Sequence, residues 1–522
     1  MREKYEKKGG EALSRTEKAL KNVKLALAAQ LVTLLASFVS RRFFTHYLSV
    51  EYLGLSGLFS NVLTVLSLAE LGVGASITYS LYRPIAEGDR PKTAALMRLF
   101  KKLYTIIGIV VFVLGCLATP LLRFFVDDIE KTISAIPEFY LIYILYVVNS
   151  SVSYFFTYKK TLIIADQKKY ITSYLSAISS VALSILECVI LALTRNYVLF
   201  MVVTVVITIC ENVAASLIAS KLYPYLLDKS ACLDDGDMAE IKTNVGASLL
   251  HNIGGVIVNG TDNILISRLV GFAAEGIYSN YHLISAAVDS MLRPIFLGIS
   301  SSFGDLAVDC DNEKKTSVFQ SMFFIGAWLY GFCAICMLAL YQPFISLWLG
   351  DEYLLSETAV IFIALNFYLL GMRRPGMVAR EAMGLLRYDK WKSISEAAIN
   401  LVFSILLAGR FGIVGILAGT AISSLSTCFW IEPIVLYRHG FCKSAGGFFK
   451  RYAAYTAVSM LALALTIAIC GRVAVGGIFG FVIRAAVCAV VPNLIFILMY
   501  NKTKEYRYCL NILKQKINFK RK

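Results

Sequence analysis

Nine ionisable residues sit inside segments otherwise built of Leu, Ile, Val, Ala and Phe: Glu70, Glu187, Glu211, Asp262, Asp289, Arg293, Glu396, Glu432 and Arg484. His251 adds a group that titrates near neutrality. Charge in such a setting holds an ion of opposite sign, carries a proton or coupling cation, or closes an internal ion pair. At about 2.5–3.5 kcal/mol each, placing all nine against lipid would cost on the order of 25 kcal/mol. That exceeds the stability of an ordinary domain. Most of them must therefore face a partner or a water-filled interior. Glu396 and Glu432 lie near the ends of their segments and are expected to reach the membrane surface along their own stems. Asp289 and Arg293 are four apart, on one helical face, and are expected to pair.

Two of these acids belong to an internal repeat. Gly57-Leu58-Phe59-Ser60-Asn61 is matched by Gly276-Ile277-Tyr278-Ser279-Asn280, and at the same offset Glu70 falls on Asp289. Gly72 and Gly74 follow Glu70 and weaken the helix there, leaving backbone free to bind or hinge. A repeat of this length implies two related halves, whose interface is the usual place for a transporter's substrate.

The elements that carry these residues are long apolar helices. Apolar residues make up 57% of the 522 and charged residues 16%, with a mean hydropathy of +0.67. Continuous runs rich in Leu, Ile, Ala and Val exclude a transmembrane β-barrel, whose strands alternate apolar and polar side chains. The chain is expected to be all-α and polytopic, with about fourteen transmembrane helices. Residues 1–24 form a basic N-terminus that lacks the short apolar core of a signal peptide. An N-terminal lobe of six helices covers 25–222, a polar linker 223–242, and a second six-helix lobe 243–437. Six is even, so the lobes are parallel and related by an axis along the membrane normal. Two extra helices span 438–500, and 501–522 is a basic tail whose spaced Leu510, Leu513 and Ile517 fit either an amphipathic segment on anionic lipid or a solvated end.

Charge sets the orientation. The net charge of +16 comes from short loops and the two ends, a distribution that speaks of topology rather than nucleic acid. With both termini cytoplasmic and the spans alternating, most of the 51 Lys and Arg fall inside. The expected cytoplasmic loops 83–102 and 373–392 are rich in Arg and Lys, and the expected outer loops 45–56 and 348–355 hold none. In that arrangement Arg41, Arg42 and Arg268 lie near one mouth of the central space, with Arg293 deeper. Guanidinium groups suit a diphosphate, because their fork matches phosphate oxygens and stays charged when partly desolvated.

Other chemistry is absent from the sequence. There is no G-x-x-x-x-G-K-[ST] phosphate loop, no H-E-x-x-H, and no large soluble region in which to build a catalytic centre. The twelve cysteines lie mostly in apolar segments. Cys333 and Cys336 have metal-ligand spacing but no His or second Cys pair nearby, and are read as packing. No enzyme activity, cofactor or metal is expected.

Arg41-x-x-Phe44-x-x-x-Leu48, the run Glu51 to Asn61, Leu68-Ala69-Glu70-Leu71-Gly72-Val73-Gly74 and Leu81 to Asp89 together resemble the Wzx-type polysaccharide-export flippases. So do Thr261 to Ser267 and Gly276 to Tyr281 in the second half. These flippases form part of the multidrug/oligosaccharidyl-lipid/polysaccharide exporter superfamily. The likeness in helix count and order covers essentially the whole chain, and its motifs lie in 41–90 and 255–305. Ser49 departs from the pattern, where a Gly commonly follows the Leu. The resemblance implies a V-shaped pair of lobes around a cationic cavity, which moves an undecaprenyl-diphosphate-linked oligosaccharide across the bacterial cytoplasmic membrane for surface polysaccharide synthesis. It implies substrate contacts from Arg41, Arg42, Arg268, Arg293, Asn61 and Asn280, and coupling or conformational roles for Glu70, Asp262 and Asp289. By analogy with lipid II flippases, the two extra helices shape a groove for the lipid tail. Partners would be the lipid-linked substrate, membrane lipids, and a polysaccharide polymerase and glycosyltransferases, with no nucleic acid. Two other readings stand beside it: a cation-coupled multidrug exporter of the same superfamily, and a non-transporting scaffold for glycan-assembly enzymes.

Overall fold

The computed structural model describes residues 28–66, 70, 73–126, 129–227, 233, 238, 261–308, 312–389 and 391–519. Among them every regular element is a helix. In chain order the principal ones are α1 (28–47), α2 (Val50–Leu66), α3 (Val73–Glu87), α4 (Arg90–Ala118), α5 (Phe139–Ala165), α6 (Lys169–Thr194), α7 (Tyr197–Leu222) and α8 (261–269). The second half continues with α9 (Phe272–Val308), α10 (Asn312–Trp348), α11 (Glu357–Ala382), α12 (Lys392–Phe411), α13 (Ile413–Ser423), α14 (Gly446–Cys470), α15 (Gly477–Tyr500) and α16 (Lys504–Phe519). Nine of the described helical stretches are long and apolar enough to cross a membrane. The expected basic N-terminus 1–24 and His251 lie outside the described residues, as do parts of the expected lobes 25–222 and 243–437 and of the linker 223–242.

The chain forms two compact units, Met1–Phe272 and Ala273–Lys522. In the first, α4 and α5 pack through Phe100, Tyr104, Ile107, Tyr154 and Leu162, all buried. The second is built around α10, whose Phe319 and Phe323 meet Phe448 of α14 at ring-centroid distances of 6.3 and 4.7 Å. Aromatic pairs of this kind hold helices in lipid, where burial of apolar surface alone gives little drive to associate.

Local signals start and stop these helices. Gly88 adopts φ +73° and Asp89 caps α4, accepting from Lys92 N at 2.9 Å. Asn196 caps α7 in the same way, from Leu199 N at 3.1 Å, and Ser356 caps α11 from Ala359 N at 3.3 Å. The expected loop 83–102 is therefore almost entirely helical, with a turn at Gly88–Asp89. The expected loop 373–392 is also corrected: α11 runs unbroken through Arg373, Arg374 and Arg380 to Ala382. Pro375 sits inside it without ending it.

The last helical stretch of the expected second lobe begins as α13 and continues to Gly440 through two π-helical turns, Ser424–Cys428 and Leu436–Gly440, with the short helix Phe429–Val435 between them. Such turns shift the helical phase and often mark functional positions. In the tail, α16 is helical, and Tyr506 stacks on Trp328 of α10 at 6.0 Å and 11°.

Candidate functional site

The acid at the second copy of the repeat lies at the centre of a cationic site. Asp289 and Arg293, one turn apart on α9, pair at 2.8 Å as their spacing predicts. From α11, Arg374 reaches the same carboxylate oxygen, also at 2.8 Å. Tyr330 of α10 donates to the other oxygen at 2.8 Å. Asp289 is buried, whereas the Arg293 side chain is 55% exposed. Two guanidiniums thus share one carboxylate, and the group carries one surplus positive charge with its outer arm in the open. The Arg374 Nε is buried and has no hydrogen-bond partner.

Arg373 precedes Arg374 by one residue and points elsewhere, as 100° of helical rotation requires. It grips Glu432 through two nitrogens, at 3.0 and 3.3 Å, and Glu396 at 2.9 Å. Glu432 also receives Lys392 at 2.6 Å and Arg380 at 3.0 Å. Arg380 pairs further with Asp389. Here three cations, Arg373, Arg380 and Lys392, meet three acids, Glu396, Asp389 and Glu432, and the charges balance. The expectation that Glu396 and Glu432 reach the membrane surface is overturned, because both are buried. Packed cations meet both carboxylates inside the unit, so their charge is satisfied without a reach to water. The flanking π-helical turns lie at Ser424–Cys428 and Leu436–Gly440, on either side of Glu432.

In the first unit the repeat shows the same pattern more loosely. Glu70, the counterpart of Asp289, accepts from Tyr104 of α4 at 3.4 Å. Tyr330 lies on α10, the helix after the one that carries Asp289, and Tyr104 on α4, beyond α3 from Glu70. The motif asparagines also behave alike: Asn61 donates to Gly57 O at 2.7 Å and Asn280 to Gly276 O at 3.1 Å. Asn280 is fully buried, with its Oδ1 left unpartnered.

Glu187 of α6 is buried and accepts from Ser40 at 2.5 Å and Thr204 at 3.3 Å, with Arg41 of α1 within electrostatic reach. Arg41 acts likewise on Tyr146 and Tyr197, which hydrogen-bond each other at 2.9 Å. Arg42 is exposed, and Asp262 and Arg268 are half-buried on α8. Glu211 pairs with Lys160 at 2.8 Å, and Arg484 donates to Val473 O at 3.2 Å. Glu187, Glu211 and Arg484 have each found a polar partner, as the cost of exposing them to lipid requires.

Sequence reasoning found Asp289 and Arg293 but missed Arg374, Tyr330, Arg373, Arg380 and Lys392. It ended the span at 372, where arginines and then Pro375-Gly376 follow. The signal against a break was the seven-residue spacing of Arg373 and Arg380, two turns on one helical face; Gly376 stays helical, and the positive φ that ends the stretch comes only at Gly384.

No protein-family model and no curated protein sequence matches this chain. Solved structures do. The lipid II flippase MurJ in an inward closed conformation superposes with a TM-score of 0.65 at 11% identity, covering 92% of this chain and 99% of that one. An inward-facing multidrug resistance MATE family transporter of the MOP superfamily gives 0.59 at 13% identity, over 79% and 97%. A MOP superfamily transporter from Pyrococcus furiosus, described as having a binding pocket of reverse polarity, gives 0.54 at 12% identity, over 80% and 95%. At such identities the likeness is one of fold: the chain is a polytopic all-α membrane protein folded as MurJ and the MATE transporters are.

Proposed function

We propose that this chain is a transporter of the MOP superfamily, and within it a Wzx-type flippase. It moves an undecaprenyl-diphosphate-linked oligosaccharide across the bacterial cytoplasmic membrane for cell-surface polysaccharide synthesis, by alternating access. It works with both termini in the cytoplasm, two parallel six-helix lobes (25–222 and 243–437) and two extra helices, beside a polymerase and glycosyltransferases. The observation that carries this reading is the surplus charge at Asp289, where Arg293 and Arg374 share one carboxylate.

A diphosphate crossing a low-dielectric interior must exchange its hydration for fixed donors. Asp289 holds both arginines in place while the site is empty. Phosphate oxygens then compete with that carboxylate for Arg293, whose outer side is open, and the surplus charge favours the anion over a cation. On this reading Arg41, Arg42 and Arg268 also contact the diphosphate, Asn61 and Asn280 contact the glycan, and Glu70 and Asp262 serve conformational coupling.

The test is surface glycan and accumulated lipid-linked precursor in cells carrying Arg293→Ala or Arg374→Ala at normal protein level. Loss of export with precursor build-up supports the flippase; normal export by both variants overturns it.

The second reading, a cation-coupled multidrug exporter, draws on the MATE neighbours and on the buried carboxylate of Glu187. It requires drug efflux that depends on the acids and tolerates loss of the arginines.

A further inference from the structure

A second cationic site lies in the first unit and owes nothing to the transport reading. Lys159 sits on α5, six residues before the helix ends at Ala165, which is about 9 Å along the axis at 1.5 Å per residue. Its ammonium donates to Ser216 Oγ at 2.7 Å, Ser220 Oγ at 2.9 Å and Ser216 O at 3.5 Å. All three acceptors are neutral. The lysines nearest in sequence are neutralised: Lys160 by Glu211 at 2.8 Å and Lys168 by Asp166 at 2.7 Å. Lys159 instead has another cation, Lys101 of α4, within electrostatic reach.

An ammonium whose bonded acceptors are all neutral, with a second cation acting on it, leaves positive charge that an anion would compensate. The ligand set also fits a phosphate. Ser220 already donates its hydroxyl, to Ser216 O at 2.9 Å, and a hydroxyl proton rotates to suit its acceptor, so the lysines and the pair of serines offer charged and neutral donors to phosphate oxygens.

The surroundings choose between a soluble anion and a lipid. Ser216 and Ser220 share one stripe of α7, and Val213 and Leu217 form the stripe beside it. Val213 and Leu217 are 37% and 59% exposed. Apolar surface bordering a cationic spot near a helix end matches a phospholipid, whose chains start where its phosphate stops; a free anion gains nothing from it. We propose that Lys159, with Lys101, Ser216 and Ser220, binds the phosphate of an anionic lipid headgroup.

The test uses the purified full chain and native mass spectrometry of lipids retained from mixed phosphatidylglycerol and phosphatidylcholine. The wild type retains phosphatidylglycerol preferentially. Lys159→Met lowers that retention about tenfold, the loss expected for one charged phosphate contact. Lys101→Ala and the Ser216→Ala/Ser220→Ala pair lower it less. Lys159→Arg keeps it and shows that the fold tolerates change at this position. Lys102→Ala, on the same exposed turn as Lys101, leaves it unchanged. Unaltered retention in Lys159→Met overturns the proposal, and so does an equal loss in Lys102→Ala, which would mean bulk charge alone. Displacement of phosphatidylglycerol by inorganic phosphate at equal concentration overturns the lipid assignment.

Discussion

Tyr330 donates its phenolic hydroxyl to Asp289 at 2.8 Å, and in the other unit Tyr104 does the same for Glu70 at 3.4 Å. Both acids of the repeat thus accept from a tyrosine later in the chain, although the tyrosines are 226 residues apart and fall outside the 219-residue register of the repeat. The purpose of Tyr330 in the second unit is to orient a carboxylate that two arginines pull on. Tyr330→Phe should cost about 1 kcal/mol in stability, the net worth of one hydrogen bond, and reduce glycan export without abolishing it. Thermal unfolding in detergent and quantified surface glycan read the two effects separately. Unchanged export would remove the tyrosine from the mechanism.

Gly371 makes that contact sterically available. A Cβ at this position would collide with the Tyr330 ring, so α11 must carry no side chain where α10 crosses it. Gly371→Ala is expected to destabilise by about 1–3 kcal/mol as overpacking, and to lower export more than Tyr330→Phe does. Gly376→Ala, where a Cβ meets nothing, is the matched control and should leave both measurements near wild type.

The balanced cluster around Glu432 should respond differently from the surplus charge at Asp289. Glu432→Gln leaves Arg373, Arg380 and Lys392 facing a neutral amide, and removing one partner of a buried ion group costs about 3–5 kcal/mol. Protein level and melting temperature should fall sharply, and export should fall only in proportion. Arg373→Lys should be intermediate, since a point charge cannot span both oxygens of Glu432. A stable Glu432→Gln protein with export abolished would instead move this cluster into the transport mechanism.

The arginines chosen for the diphosphate give the most direct check on function. Arg41→Ala, Arg268→Ala and Arg293→Ala should each reduce surface glycan and accumulate the lipid-linked precursor, with Lys replacements rescuing in part. Normal export by all three Ala variants would end the cationic-cavity mechanism.

Orientation is testable by cysteine labelling at two exposed positions, Glu352 and Tyr388, in a background from which all twelve native cysteines have been removed. Glu352 should label from outside and Tyr388 only after permeabilisation, following the charge asymmetry. Labelling of both from outside would refute the assigned topology.

Much of the architecture was legible because lipid is an unforgiving solvent. Runs of apolar residues longer than a bilayer is thick admit one backbone solution, the helix, and the repeat of Gly57–Asn61 at Gly276–Asn280 links the two halves by eye. The pairing of Asp289 with Arg293 followed from helical spacing alone. The ends of the helices were less legible. Charge was taken as the signal for leaving the membrane, and at Arg373, Arg374 and Arg380 that signal misled, since buried carboxylates on other helices were waiting for them.

The sequence by itself determined the all-α membrane fold and the local ion pair, because one depends on bulk transfer into lipid and the other on residues a single turn apart, and it showed the repeat as a direct match of residues. Only the tertiary structure decided that Arg374 joins Asp289 while its neighbour Arg373 turns to Glu432. Adjacent residues on a helix point 100° apart, so which carboxylate each one meets is set by the rotation and packing of α11 against its neighbours, and no spacing in the chain records that.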